Sequence, residues 1–203
     1  MLLYYLARGF FKLFLPLFGR WKVMGHENVP KSGGVIIVPN HVSYADPPVV
    51  GSALHRQVHF MAKEELFKIP FLGRCIAIVG AFPVKQKTAD RAAIRKAIEL
   101  LESGKVVCLF PEGRRTEGTL EKAELGIGMI AMKARVPIVP MALIGTNKLL
   151  PPHSIFLKFA KVRVIIGKPI QMDDLYEKGS ERETLEEIGR RIMAAIAELQ
   201  NSE

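Results

Sequence analysis

His41 and Asp46, set as His-x-x-x-x-Asp within NHVSYAD, are the first residues whose types and spacing can do chemistry. An alcohol attacking an acyl ester needs a base for its proton, and histidine, with an unperturbed pKa of about 6.5, is half-poised for that near neutrality. A neighbouring carboxylate would fix the tautomer and stabilise the imidazolium. A base positioned in this way accelerates such a step by roughly 10²–10⁴-fold. The same spacing also describes a solvated loop histidine beside an N-capping aspartate, and spacing alone does not choose between the two.

A second group is FPEGRRT, Phe110 to Thr116, where an apolar run ends in a Pro and Gly turn carrying Glu112, Arg114 and Arg115. Guanidinium groups offer forked charged donors and a glycine permits close backbone approach, which together suit a phosphate. The alternative is a charged turn in solvent. His55 and His59 are four apart, a metal-ligand spacing on a helix, but no Glu follows His55 and the segment turns into strand, so no metal site is expected. His26 and His153 stand in polar loops, and Lys63 and Glu64 follow a strand, where a surface role is favoured over a reach into the site. Cys75 and Cys108 have neither metal spacing nor the density of a disulfide scaffold, and read as reduced core residues.

The elements that carry these residues are legible from apolar patterning. VIIV (Val35 to Val38) after Gly33-Gly34 is a continuous β-branched run, the pattern of a buried strand. Asp46-Pro47 starts a helix with Asp46 at the N-cap and Pro47 at the first position, so His41 falls in a strand-to-helix loop. Further strands are expected at His59 to Met61 and Ala81 to Val84, with a short helix near Phe71 to Ile78 between them. Thr88 to Ser103 carries an apolar helical stripe (Ile94, Ile98, Leu101) stopped by Gly104. KVVCLF is a buried strand, Leu125 to Ala134 a helix, and VPIVPMALI and VRVIIG are strands. Ser180 and Glu183 form a capping box before a terminal helix whose face is Leu185, Ile188, Ile192, Ile196 and Leu199. This alternation predicts an α/β fold: one domain, a mixed, largely parallel central sheet flanked by helices, with functional loops at the carboxyl ends of the strands.

A chain of 203 residues with 49% apolar content suffices for one buried core. Lys and Arg exceed Asp and Glu by 29 to 20, a formal charge of +9, which favours an anionic partner: lipid surface, phosphate or nucleic acid. The N-terminal stretch MLLYYLARGFFKLFLPLF lacks the basic leader and cleavage pattern of a signal peptide. As one helix it would be ~27 Å long, yet Arg8 and Lys12 interrupt it on one face. Leu2, Leu6, Phe10, Leu13, Phe14 and Leu17 line the other, the pattern of an amphipathic helix lying in the membrane interface. A helix spanning the bilayer and a helix closing over the domain core are the competing readings. Four basic residues and no acidic one up to Lys22 would strengthen attachment to an anionic leaflet. Residues 1–20 are thus read as an interfacial helix and 21–203 as the catalytic domain.

In order, NHVSYAD, GAFPVK, FPEGRRT and VPIVP resemble the four sequence blocks of the 1-acylglycerol-3-phosphate acyltransferases, and VRVIIGKPI resembles that family's closing strand. The resemblance spans roughly residues 20–170. It implies transfer of a fatty acyl group from a thioester, on acyl carrier protein or coenzyme A, to the sn-2 hydroxyl of lysophosphatidic acid, giving phosphatidic acid without a covalent acyl-enzyme. No cofactor is implied beyond that co-substrate. By the same resemblance His41 is the base and Asp46 orients it, while Lys85 and Arg115 hold the acceptor phosphate. Glu112 and Gly113 shape the acceptor site, Arg114 or Lys122 assists Arg115 in phosphate recognition, and Pro137 and Pro140 match the block that lines an apolar wall. Lys85 replaces the usual Arg, and Arg114 stands where Thr is more common, which leaves the head group open. The family's known structures carry a two-helix membrane motif, whereas one short helix fits before Trp21. The implied location is the cytoplasmic face of the cell membrane, peripherally bound. Alternatives are acylation of another lysophospholipid or an aminolipid, or a catalytically silent lipid-binding scaffold. The sequence contains no recognised nucleic-acid motif, so no nucleic-acid partner is expected.

Overall fold

The computed structural model describes residues 2–85 and 90–202. In chain order its strands are β1 Trp21–Met24, β2 Val35–Pro39, β3 Val58–Lys63, β4 Phe82–Val84, β5 Val106–Cys108, β6 Ile138–Ile144 and β7 Val162–Ile166. Its helices are α1 Leu2–Phe14, α2 Asp46–Ala53, α3 Glu64–Phe67, α4 Leu72–Ile78, α5 Arg91–Glu102, α6 Leu125–Ala134, α7 Thr146–Leu149, α8 Asp173–Tyr176 and α9 Arg182–Asn201. The strands form one sheet in the order β1-β7-β6-β2-β5-β3-β4, parallel throughout except for the antiparallel β6–β7 pair. This is the expected single α/β domain with a mixed, largely parallel sheet.

Central strands read as unbroken apolar runs because helices cover both of their faces. The strand period of two then sorts alternate residues to opposite sides. Val35 and Ile37 of β2 join Val106, Cys108, Val139 and Met141 in one cluster, which packs against Val49, Val50 and Leu54 of the α2 region and Leu15 behind α1. Ile36 and Val38 enter the second cluster with Leu101 of α5, Ile130 of α6, and Ile188, Ile192 and Ile196 of α9.

Several local expectations are corrected. Ser180 lies two residues before α9, which starts at Arg182 behind Glu181 with no side-chain cap, so the capping box is not formed; the exposed amino end can be hydrated instead. Thr88, where the α5 pattern begins, lies outside the described residues; the helix is capped by Asp90, whose carboxylate accepts from Ala92 and Ala93 N–H. Cys108 is fully buried, but Cys75 is only partly so, and both are free thiols.

The N-terminal stretch divides into two pieces. α1 has 13 residues, roughly 20 Å at 1.5 Å per residue, and a 3-10 turn at Leu15–Phe18 with Pro16 follows it. Among the described residues no helix is long and apolar enough to cross a membrane. α1 docks through the stripe Tyr4, Arg8, Phe11 and Leu15. Tyr4 is 4% exposed, and its hydroxyl accepts from Val58 N–H at 3.1 Å. The Arg8 guanidinium, expected beside Lys12 on a polar outer face, donates to the His55 carbonyl at 3.3 Å. The opposite face, Leu2, Leu6, Phe10, Leu13 and Leu17, is exposed, with Phe14 half-buried.

Because Ile192 is fully buried between α9 and the sheet, Ile192→Ala should cost about 2–5 kcal/mol through lost transfer energy and the cavity left behind. Urea unfolding followed by circular dichroism measures this as a lowered midpoint at unchanged slope.

Candidate active site

Parallel strands deliver their carboxyl ends to one edge of the sheet, and the two loops bearing candidate chemistry leave adjacent strands there, β2 and β5. β2 ends at Pro39, which has no N–H to continue a ladder. Asn40 takes over with its side chain: its Nδ2 donates to the Leu143 carbonyl at 3.1 Å, and its Oδ1 accepts from Leu143 N–H at 2.7 Å. The amide acts as one more rung between β2 and β6. It fixes where the next residue, His41, begins.

The second loop holds the His41 backbone from both sides. Its N–H donates to Glu112 Oε2 at 3.0 Å, and its carbonyl accepts from Thr116 N–H at 2.8 Å. Glu112 is 3% exposed, and its other oxygen accepts from Glu121 N–H at 3.2 Å. Burial pushes this carboxyl above its ordinary pKa, while hydrogen bonds from Glu121, His41 and Thr116 pull the other way. Gly113 adopts φ 65°, and a Cβ there would lie 2.9 Å from Glu124 Cγ, so the turn favours glycine.

The ring itself is set by two contacts. It stacks on Phe110 with centroids 3.9 Å apart, and Nδ1 lies 2.8 Å from Asp46 Oδ2. Asp46 is fully buried, and the same oxygen accepts from Val42 N–H at 2.8 Å and Ser43 N–H at 2.7 Å. Asp46 is therefore not the N-cap that the sequence pattern indicated: Ala45 occupies that position, and Asp46 is the first helical residue. Its carboxylate turns back toward the loop, where charge-assisted bonds to two backbone N–H groups and the ring hold it. An ionised carboxylate only accepts, so Nδ1 carries a proton and Nε2 keeps the lone pair able to take another. The His41 side chain is 17% exposed, open enough to meet a substrate.

The cationic candidates are dispersed. The Arg115 guanidinium lies 3.4 Å above the ring of Tyr44, a cation–π contact that joins the same two loops a second time. Arg114 makes a forked pair with Glu121, and Lys122 lies 3.7 Å from Glu186, so each faces a carboxylate. Lys85 follows β4, three strand steps from β2 and thus about 14 Å across the edge at ~4.8 Å per step. It lines a cleft of ≈ 430 Å³ with Glu64, Phe82, Asp90 and Lys96. The two prolines of the fourth block stand at different levels of the sheet. Pro137 sits at the opposite, amino-terminal edge, where its carbonyl accepts from Ile36 N–H, and Pro140 is buried in β6 opposite Val38. His59 is on β3, with Nδ1 3.0 Å from the Gly80 carbonyl, rather than on one helix with His55.

Asn40, Ser43, Tyr44, Phe110 and Thr116 were given no role from sequence. A polar residue directly after a buried strand ending in proline is the signal that could have found Asn40. The others lie within NHVSYAD and FPEGRRT, but their contacts across the two loops are remote in sequence.

Residues 20–144 match the acyltransferase family. Over 191 residues the chain is 32% identical to the 1-acyl-sn-glycerol-3-phosphate acyltransferase of Bacillus subtilis (strain 168), covering 94% of this chain and 93% of that one. It is 35% identical over 158 residues to the chloroplastic 1-acyl-sn-glycerol-3-phosphate acyltransferase LPAT1 of Arabidopsis thaliana, covering 75% of this chain and 44% of that longer protein. The crystal structure of the 1-acyl-sn-glycerophosphate acyltransferase PlsC from Thermotoga maritima superimposes with a TM-score of 0.76 at 29% identity, covering 98% of this chain and 80% of that one.

Asn40→Ala and Glu112→Ala each strand buried partners and should each cost about 1–3 kcal/mol in urea unfolding, whereas Arg114→Ala, at an exposed pair, should stay within about 1 kcal/mol of wild type.

Proposed function

This chain belongs to the acyltransferase family and is an enzyme of acyl transfer, and from that premise we propose that it acylates the sn-2 hydroxyl of 1-acylglycerol-3-phosphate, yielding phosphatidic acid. The donor is a fatty acyl thioester of acyl carrier protein or coenzyme A. The observation that carries this reading is the 2.8 Å contact between His41 Nδ1 and buried Asp46, at the carboxyl edge of the sheet. It leaves Nε2 as the proton acceptor.

In the proposed step Nε2 takes the hydroxyl proton as the oxygen attacks the thioester carbonyl. The tetrahedral adduct collapses, the C–S bond breaks, and the imidazolium returns its proton to the departing thiolate. The products are an ester and a free thiol, with no acyl group left on the protein. Asp46 stabilises the imidazolium between these events and holds the ring so that only Nε2 can act. Stacking on Phe110 and the bonds from Glu112 and Thr116 limit motion of the base, which supports positioning as a large part of the rate.

Arg115 is the proposed principal partner of the acceptor phosphate, because it borders the His41 loop through Tyr44. Lys85, about 14 Å away by strand spacing, is assigned a secondary place, suited to the donor side or the far end of the head group. Arg114 and Lys122, each already facing a carboxylate, contribute mainly through overall positive potential. The exposed apolar face of α1 supports peripheral attachment to an anionic membrane surface, where a lysolipid resides. The cytoplasmic face is the proposed side, since both thioester donors are made there.

His41→Ala should lower kcat by at least about 10²-fold, and the loss of a positioned base can reach 10⁴-fold, with the circular dichroism spectrum unchanged. A labelled acyl thioester and purified protein measure this, and turnover at the wild-type rate would reject the mechanism. Arg115→Ala should raise the acceptor KM several-fold with a smaller change in kcat; an unchanged KM would remove Arg115 from phosphate recognition. A panel of lysolipid acceptors with each donor assigns the substrates.

A further inference from the structure

Between α7 and β7 the chain runs from residue 150 to 161 without helix or strand. Three of its side chains, Ile155, Phe156 and Phe159, are 86%, 75% and 82% exposed. The segment is nonetheless fastened. Lys158 N–H donates to the Leu149 carbonyl at 2.8 Å, and Ala160 N–H to the Phe18 carbonyl at 2.9 Å. The Ser154 hydroxyl donates to the Phe156 carbonyl at 2.9 Å and accepts from its N–H at 3.2 Å. Leu157 packs into the core cluster beneath. With Leu157 anchored inward, its apolar neighbours are held out in water.

This loop continues the bare face of α1. Ring contacts run from Phe10 to Phe14 at 5.1 Å, from Phe14 to Phe18 at 4.8 Å, and from Phe18 to Phe159 at 6.2 Å. Charge is concentrated in the flanking segments: residues 1–26 and 146–172 together hold nine Lys and Arg and no Asp or Glu, an excess equal to the net charge of the whole chain, although Arg8 is turned inward. Lys12, Arg20, Lys148, Lys158 and Lys161 are exposed within these segments. Large exposed apolar side chains with exposed cations in the same segments fit a leaflet that places anionic head groups above acyl chains.

We propose that the 150–161 loop is a second membrane-inserting element, in which Ile155, Phe156 and Phe159 enter an anionic phospholipid leaflet beside α1. The proposal rests on the peripheral-membrane reading given above and adds a second point of grip. Two separated contacts fix the tilt of the domain as well as its attachment. The loop also reaches the site directly, since the Ser43 hydroxyl in the His41 loop donates to the Leu150 carbonyl at 2.9 Å. The leaflet is thereby held beside the carboxyl edge of the sheet, and a lysolipid acceptor reaches His41 by a short lateral path.

The test is flotation of the full chain with vesicles of phosphatidylcholine containing phosphatidylglycerol, and with phosphatidylcholine alone. Wild type is compared with the loop variant Ile155→Ser/Phe156→Ser/Phe159→Ser and the helix variant Leu6→Ser/Leu13→Ser. All five positions are exposed, so both variants should keep the wild-type circular dichroism spectrum. The loop variant should bind anionic vesicles at least about tenfold more weakly, since each deletes buried apolar area at the interface. As a second readout, Phe159→Trp in a Trp21→Phe background should be quenched by brominated acyl chains. Wild-type flotation of the loop variant, or an unquenched tryptophan, with binding lost in the helix variant, overturns the loop and leaves the peripheral reading standing. No flotation of wild type on either vesicle overturns both. A dimer in light scattering that the loop variant abolishes, without flotation, would assign the surface to a second copy of the chain and also overturn the proposal.

Discussion

The site depends on a histidine whose main chain is gripped by one loop while its ring is gripped by the next helix. Glu112 and Thr116 saturate the N–H and carbonyl of His41, and buried Asp46 takes Nδ1. For the base role proposed for His41, such confinement favours rate, because little orientational freedom remains to be lost in the reaction. Asp46 carries this burden because it lies in the first turn of α2. Its carboxylate accepts two backbone N–H bonds in addition to the ring, so its orientation is set before the imidazole is positioned.

The sheet makes this arrangement possible. β2 and β5 are parallel neighbours, so their carboxyl ends open side by side and residues 71 positions apart come within hydrogen-bonding distance. The flanking helices bury both faces, which leaves the strand ends as the place where polar loops can gather. Asn40 marks the boundary: it closes the last rung against Leu143, after which the backbone is free to turn.

Apolar and cationic surface accumulates along α1 and the 150–161 loop, and the loop meets the site edge. α1 turns Tyr4 and Arg8 inward and its leucines and Phe10 outward, and the 150–161 loop extends that outward face. Both segments lack acidic residues, and Lys12, Lys158 and Lys161 are exposed in or beside them. Chemistry and surface are joined by the hydrogen bond between Ser43 and Leu150.

Apolar periodicity and turn residues in the sequence determined the α/β class, the placement of most strands and helices, and the location of His41 and Glu112 at the ends of buried strands, because these follow from local preferences and the need to cover both faces of a parallel sheet. Even the terminal helix face at Ile188, Ile192 and Ile196 was legible. The direction of the Asp46 carboxylate, the missing cap at Ser180, the inward turn of Arg8 and the diversion of Arg114 to Glu121 were decided only by tertiary structure. Asp46 and Arg114 choose among nearby partners that apolar periodicity does not rank, whereas for Arg8 the deciding partner, the His55 carbonyl, is brought near only by folding. The stapling of His41 by Glu112 and Thr116 and the alignment of Phe159 with α1 belong to the same class: they exist only once strands and loops distant in sequence share an edge.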